Sequence, residues 1–293
     1  GKIELHGEKF HCWEKKGHGI VNLRKGIQRS CDVYFYEVAR KLGVDRLSIT
    51  AKKFGLGKTV LPDFIEERAG VVPNTKWKKK NIGQNWYIGE TLHSGIGQGY
   101  FQSTPLQLCL MTAQIANGGF EIKPRIIFDK NDNNLRDYIK YKNENPNEAI
   151  PADLLNNKFI LKPLFEDQKN INIVQDAMFS SSNEPGGTSY RHRMENPKFT
   201  FAGKTGSSQI RRFTEAQREA EVKQIDLNYK ERDHALFIAF APYNDPKYAI
   251  SVVVEHGGSG GSAAAPIAKK VIKKVLERHD LRQEVNYYKG DST

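Results

Sequence analysis

The sequence predicts an α+β fold: a small antiparallel sheet with a C-terminal helix packed on it, together with a helical subdomain. Three observations carry this. Two strongly apolar runs, HALFIAFAP from His234 and KYAISVVVE from Lys247, flank the turn YNDP and read as paired strands. A helical pattern follows from about Ala263 to Arg278, with Ile267, Val271, Ile272 and Val275 as its expected inner face. Upstream, over 30–120, apolar residues recur at helical spacing, first at positions 31, 34, 35, 38 and 42.

Taken in order, Gly1 to Ile20 is rich in Gly, His and Lys without a clean period and is expected to be loop. The helix that begins near Ser30 or Asp32 stops at Gly43, and a second runs from about Asp45 to Phe54 before Gly55 and Gly57. Leu61 to Gln102 reads as loop-rich. Its glycines at 95, 97 and 99 lack the Lys-Ser/Thr pair that a phosphate loop needs. Thr104 and Pro105 mark the strongest helix start in the chain. Leu106, Cys109, Leu110 and Ala113 line one face of that helix, which makes Cys109 a buried structural thiol, and Asn117-Gly118-Gly119 ends it. Residues 129–170 read as a polar insertion, and 171–179 as a helix before the turn SSSNEPGGT. Phe199 to Thr205 is a short strand, and the charged stretch 207–233 is expected to project into solvent.

The chain has 293 residues, 38% of them hydrophobic, enough for one large domain. Its formal net charge of +11 suits nucleic acid, an anionic envelope polymer, an acidic lipid surface or a plain solvated surface. No zinc-finger spacing, RNA-binding consensus or basic tail is present, so no nucleic-acid partner is expected. No apolar run reaches the ~18 residues of a membrane span. The opening GKIELHGEKF has no initiator Met, basic n-region or apolar core, and reads as the start of a cut fragment. Three cysteines are too few for a disulfide scaffold.

Two short motifs bear chemistry. Lys204-Thr205-Gly206 closes a strand, where an ammonium, a hydroxyl and exposed backbone N–H groups can converge on a carboxylate or an oxyanion. Gly206 would keep approach to that edge open. The same lysine alone is equally a solvated strand end. Ser30-Cys31-Asp32 has two readings: a helix cap, or a hydroxyl at Ser30 that relays a proton beside a lysine. Cys12, His18 and Cys31 form a C-x5-H-x12-C series. Thiolate and imidazole are the ligands zinc prefers, but two buried thiols and a loop histidine explain the series as well.

The pairing of KTG with an earlier Ser-x-Asn/Asp resembles the active-site pattern of the penicillin-binding proteins. The run CWEKKGHG, RSCDVYFYEVARKLGVDRL, EERAGVVPNTKW, WYIGETLHSGIGQGYFQSTPLQ, AGKTGSSQ and DHALFIAFAPYNDPKYAISVVVEHGGSG is similar to the penicillin-binding protein 2 family. Its members are class B D,D-transpeptidases of rod elongation. These landmarks span roughly residues 11 to 265, in family order. The resemblance implies a penicillin-binding protein/β-lactamase-like fold, one partial transpeptidase domain over 1–293, and a place on the periplasmic face of the inner membrane. It implies peptidoglycan stem peptides as substrates, β-lactams as inhibitors of the complete domain, and a glycosyltransferase of the elongation complex as partner.

Residue by residue, the resemblance gives Ser30 and Asp32 the places of the second motif's serine and its Asn or Asp. Lys204 takes that of the KTG lysine, which orients the peptide carboxylate, and Thr205 that of the hydroxyl which contacts it. Ser207 stands where Thr is usual, and its backbone N–H would be an oxyanion donor beside Gly206. The family's first motif, Ser-x-x-Lys, is absent: no serine from Ser30 to Ser292 has Lys three positions on. Nucleophile and base are therefore expected upstream of Gly1. Some members carry a structural zinc near the second motif, and Cys12, His18 and Cys31 match three of its ligands, with a fourth expected upstream. Rival readings are a β-lactam sensor or class D β-lactamase-like protein, and a non-catalytic zinc- or glycan-binding domain.

Overall fold

The computed structural model describes residues 1–61, 64–124, 126, 140–141, 144–145, 162–211, 213–220 and 222–284. Most of the expected polar insertion at 129–170 lies outside them. Strands β3 (Ala202–Ser208), β4 (His234–Ala241) and β5 (Tyr248–Val254) form an antiparallel sheet in that order, leaving one edge of β3 unpaired among the described residues. Lys204 pairs with Ile238 and Thr205 with Phe237, and β4 runs on to β5 through Ala235 opposite Val254.

Both faces of the sheet are covered, which is why the β4 sequence is apolar throughout rather than alternating. On one side Phe237, Ala239 and Ala241 pack with Ala265, Ala268, Ile272 and Leu276 of the C-terminal helix, here α9 (Ala265–Glu284). On the other, Ala202 and Phe240 pack with Ile115 of α6 (Pro105–Ala116) and with Ile171 and Met178 of α7 (Lys169–Asn183). The expected inner face of α9 is corrected here. Ile272 is buried as expected, but Ile267 and Val271 are each 43% exposed, and Ala265 and Ala268 meet the sheet in their place, because small side chains let the helix lie close.

Helix α6 begins as its sequence indicates. Thr104 accepts from the Gln107 N–H, the Gln107 carboxamide accepts from the Thr104 N–H, and Pro105 sits at the first position. Such a cap contributes about 1 kcal/mol. Gln107 is fully buried because its amide also donates to the carbonyls of Lys58 and Ala69, tying the loop before α6 to the helix. Cys109 is half-buried, its thiol donating to the Ala249 carbonyl.

Several expectations are overturned. Residues 1–20 are not all loop: β1 (Lys2–Leu5) and β2 (Glu8–His11) form a hairpin about His6 and Gly7, both at positive φ as a tight two-residue turn requires. A short helix α1 (Leu23–Gln28), capped by Asn22, precedes α2 (Asp32–Leu42). Within α2 the buried residues are Tyr36 and Ala39, whereas Leu42 is exposed. Next comes α3 (Val44–Lys53). The stretch 61–102 holds α4 (Thr75–Ile82), capped by Asn74 and closed by left-handed Gly83, and α5 (Ile88–Gly95). Helix α7 begins at Lys169 and runs on through the serines to Asn183. The strand expected at 199–205 is shifted to 202–208, after a 3-10 turn at Pro197–Phe199. The charged stretch 207–233 contains α8 (Glu215–Glu219) and folds back, burying Leu227 and Asp233, rather than only projecting outward.

Candidate active site

The open edge of β3 faces the turn between α1 and α2 across a cleft of about 1040 Å³. Ser30 occupies that turn at φ +53, a left-handed conformation rare for a residue with a side chain. It is not the helix cap. Cys31 holds the cap position without a side-chain hydrogen bond, and Asp32 starts the first turn. The strained turn is over-determined by its neighbours. Cys31 N–H donates to the Gly26 carbonyl, and the Trp13 indole N–H donates to the carbonyls of Arg29 and Ser30. Trp13 N–H also donates to the Asp32 carboxylate at 2.9 Å. A half-exposed tryptophan thus clamps the serine turn, a role that sequence reading missed.

Lys204 brings the two motifs together. Its Nζ donates to Ser30 Oγ at 2.8 Å and to the Thr205 carbonyl at 2.7 Å. Burial pushes the ammonium down to about 8, against the attraction of Asp32. The Asp32 carboxyl is itself pushed up by burial, opposed first by the Trp13 N–H. Because Lys204 donates to Ser30 Oγ, the serine's own proton is left to point elsewhere.

Thr205 Oγ1 lies 2.7 Å from Thr188 Oγ1. Thr188 follows Gly186 and Gly187 in the turn after α7, and a Cβ at 187 would sit 2.3 Å from the Ser181 carbonyl oxygen. Gly206 is different: a Cβ there meets nothing closer than Leu236 Cβ at 3.5 Å, so packing does not demand glycine. Ser207 lies further along the same edge, where the Gln98 amide donates to its carbonyl at 2.7 Å and accepts from Gln209 N–H at 3.3 Å. Gln98 stands between Gly97 and Gly99, both at positive φ, and so bridges the helical wall to the sheet.

Cys12, His18 and Cys31 also come together. One ligand atom from each lies within 4.8 Å of the others, with His18 Nδ1 3.6 Å from Cys12 Sγ. Both thiols are buried, and burial holds His18 below its usual range. His18 Nε2 is buried with no hydrogen-bond partner among the described residues. A neutral imidazole beside two thiols at this spacing fits a single zinc ion.

The model of the penicillin-binding protein transpeptidase domain matches residues 2–273. The chain belongs to this transpeptidase family. It is 34% identical over 268 residues to the peptidoglycan D,D-transpeptidase MrdA of Salmonella typhimurium, covering 92% of this chain and 40% of the relative. To MrdA of Acinetobacter baumannii it is 34% identical over 276 residues, covering 92% and 37%. Penicillin-binding protein PBP2 of Helicobacter pylori, solved in complex with MreC, is similar at TM-score 0.74 and 34% identity, over 94% of this chain and 44% of that one. Pseudomonas aeruginosa PBP2, solved with WCK 5153, is similar at TM-score 0.72 and 34% identity, over 94% and 54%. The chain therefore spans about 40% of the length of the curated relatives it matches.

Proposed function

We propose that this chain is the KTG-bearing part of a peptidoglycan D,D-transpeptidase that cross-links stem peptides during cell-wall elongation and is acylated by β-lactams. The observation that carries the reading is the Ser30 Oγ–Lys204 Nζ contact at the open edge of β3. Thr205 offers its hydroxyl to the terminal carboxylate of the peptide. Ser207 and Gly206 leave the strand edge open to the acyl centre, with the Ser207 N–H as an oxyanion donor.

In the parent protein a serine oxygen attacks the penultimate D-Ala carbonyl and forms an ester. The peptide C–N bond breaks, and the leaving amine of terminal D-Ala takes a proton. Ser30, hydrogen-bonded by Lys204, relays that proton. An amine from a neighbouring stem then attacks the ester, the C–O bond breaks and the serine recovers its proton. The attacking serine and its lysine base belong to a Ser-x-x-Lys motif, which these 293 residues do not contain.

On this reading we propose that the parent works at the periplasmic face of the inner membrane, with an elongation glycosyltransferase as partner. No described helix is long and apolar enough to cross a membrane. Cys12, His18 and Cys31 would hold a structural zinc that supplies cross-linking rather than chemistry.

The reading is tested at Lys204. In the parent protein Lys204→Ala slows β-lactam acylation, followed by stopped flow, by about 10²-fold, the scale of losing an oriented donor in the transition state. Lys198→Ala, on the 3-10 turn before β3, leaves the rate near wild type. Equal rates for the two variants would overturn the reading of Lys204 as part of the reacting site.

A further inference from the structure

Behind Thr205 the hydroxyls continue in a line. Thr205 Oγ1 lies 2.7 Å from Thr188 Oγ1, which lies 3.3 Å from Ser181 Oγ. Ser181 is fully buried on α7, and Thr188 is the partner its hydroxyl has among the described residues. Thr188 is held in place from two sides: its N–H donates to the Gln28 carbonyl of α1, and its loop presses on α7 at Gly187.

Each hydroxyl has one proton to give, so the line has a direction. If it ran inward, Thr205 would donate to Thr188 and Thr188 to Ser181, leaving Ser181 with a buried proton and no acceptor. Run outward, Ser181 donates to Thr188 and Thr188 to Thr205. The Thr205 proton is then the one left over, at the mouth of the line, on the wall of the cleft. Hydrogen bonds in series polarise one another, which strengthens the last donor. We infer that Thr188, backed by Ser181, is a positioning residue that fixes the Thr205 hydroxyl as a donor and so sets the preference of the site for a ligand bearing a free carboxylate. The inference rests on the transpeptidase reading of the cleft. It concerns which end groups the site selects, not whether it reacts.

The test uses the full-length parent protein and two acyl donors that differ in one group: a peptide thioester ending in a free carboxylate and the same thioester ending in a carboxamide. The quantity read is the ratio of their acylation rates. Wild type favours the carboxylate. Thr188→Val lowers the ratio by about 10-fold, the scale of losing one oriented donor to a charged group, while Thr188→Ser keeps it within about 2-fold because the hydroxyl is restored. Ser181→Ala, which removes the inner end of the line, lowers the ratio by a smaller factor, and it replaces Thr188→Val if that variant does not fold. An unchanged ratio in the valine variant, or an equal loss on both donors, overturns the inference and leaves the transpeptidase reading standing. Failure of wild type to be acylated by either donor would overturn the reading itself, and the inference with it.

Discussion

Lys204 answers to two conflicting demands. Its ammonium end is packed against Ser30 Oγ and the Thr205 carbonyl, where desolvation disfavours charge, yet Asp32 favours it. The outcome is a lysine lowered from its usual 10.5 to about 8. Between those values the unfolded chain holds a proton that the folded protein has lost, so stability rises with pH across that window. The burial penalty is fully present below about 8 and is relieved as pH climbs to 10.5. Measured by denaturant melts at a series of pH values, the stability of wild type minus that of Lys204→Met moves in favour of wild type from pH 8 to 10.5. The change is at most on the order of 3 kcal/mol, reduced by the solvent that still reaches this half-buried residue. A flat difference across the window would mean that the ammonium titrates normally. At this scale the KTG lysine and the serine were legible in the sequence, because short motifs state which groups are present. Trp13, Gln98 and Thr188 were not. Their roles depend on contacts 17, 109 and 17 residues away in the chain, which no local pattern records.

Elements were legible where local signals and burial agree. Helix α6 starts on its Thr-Pro signal, and β4 and β5 carry continuous apolar runs because helices cover both faces of their sheet. The inner face of α9 was legible at Ile272 but misread at Ile267 and Val271, which face out, because periodicity weights large side chains whereas Ala265 and Ala268 make the close approach. Helices α4 and α5 were hidden in a stretch that reads as loop-rich because so many glycines and polar residues punctuate it. The start of α2 was assigned to Ser30 or Asp32, but the strained turn places Cys31 at the cap, beside Cys12 and His18. A zinc ion there would join the end of β2, the His18 loop and the first turn of α2, and so hold the turn that presents Ser30. Elemental analysis of the parent protein should give about one zinc per chain. Cys31→Ser should lose it and melt at a lower temperature, whereas Cys109→Ser, on α6 at a distance in the fold, should keep it. Full zinc occupancy in the Cys31 variant would remove the assignment.

At the scale of the whole molecule, the cleft is a junction between two walls. One is helical and carries Ser30; the other is the free edge of a sheet and carries Lys204, Thr205 and Ser207. Among the described residues Lys204 to Ser30 and Gln98 to the β3 edge bridge it. The α+β class and the order of the family landmarks were readable from sequence, because each landmark is a contiguous run. How the two walls face each other was not, because it is set by α6 and α7 packing under the sheet across long stretches of chain. We propose this junction as the proton-relay and carboxylate-binding part of a transpeptidase whose attacking serine lies in a motif these residues lack. Gel fluorescence after incubation with a fluorescent penicillin tests it most directly. The 293-residue chain should show no covalent label, and the parent protein carrying Ser-x-x-Lys should be labelled. A labelled 293-residue chain would contradict the account, since it would place the nucleophile within these residues, and an unlabelled parent would contradict it equally.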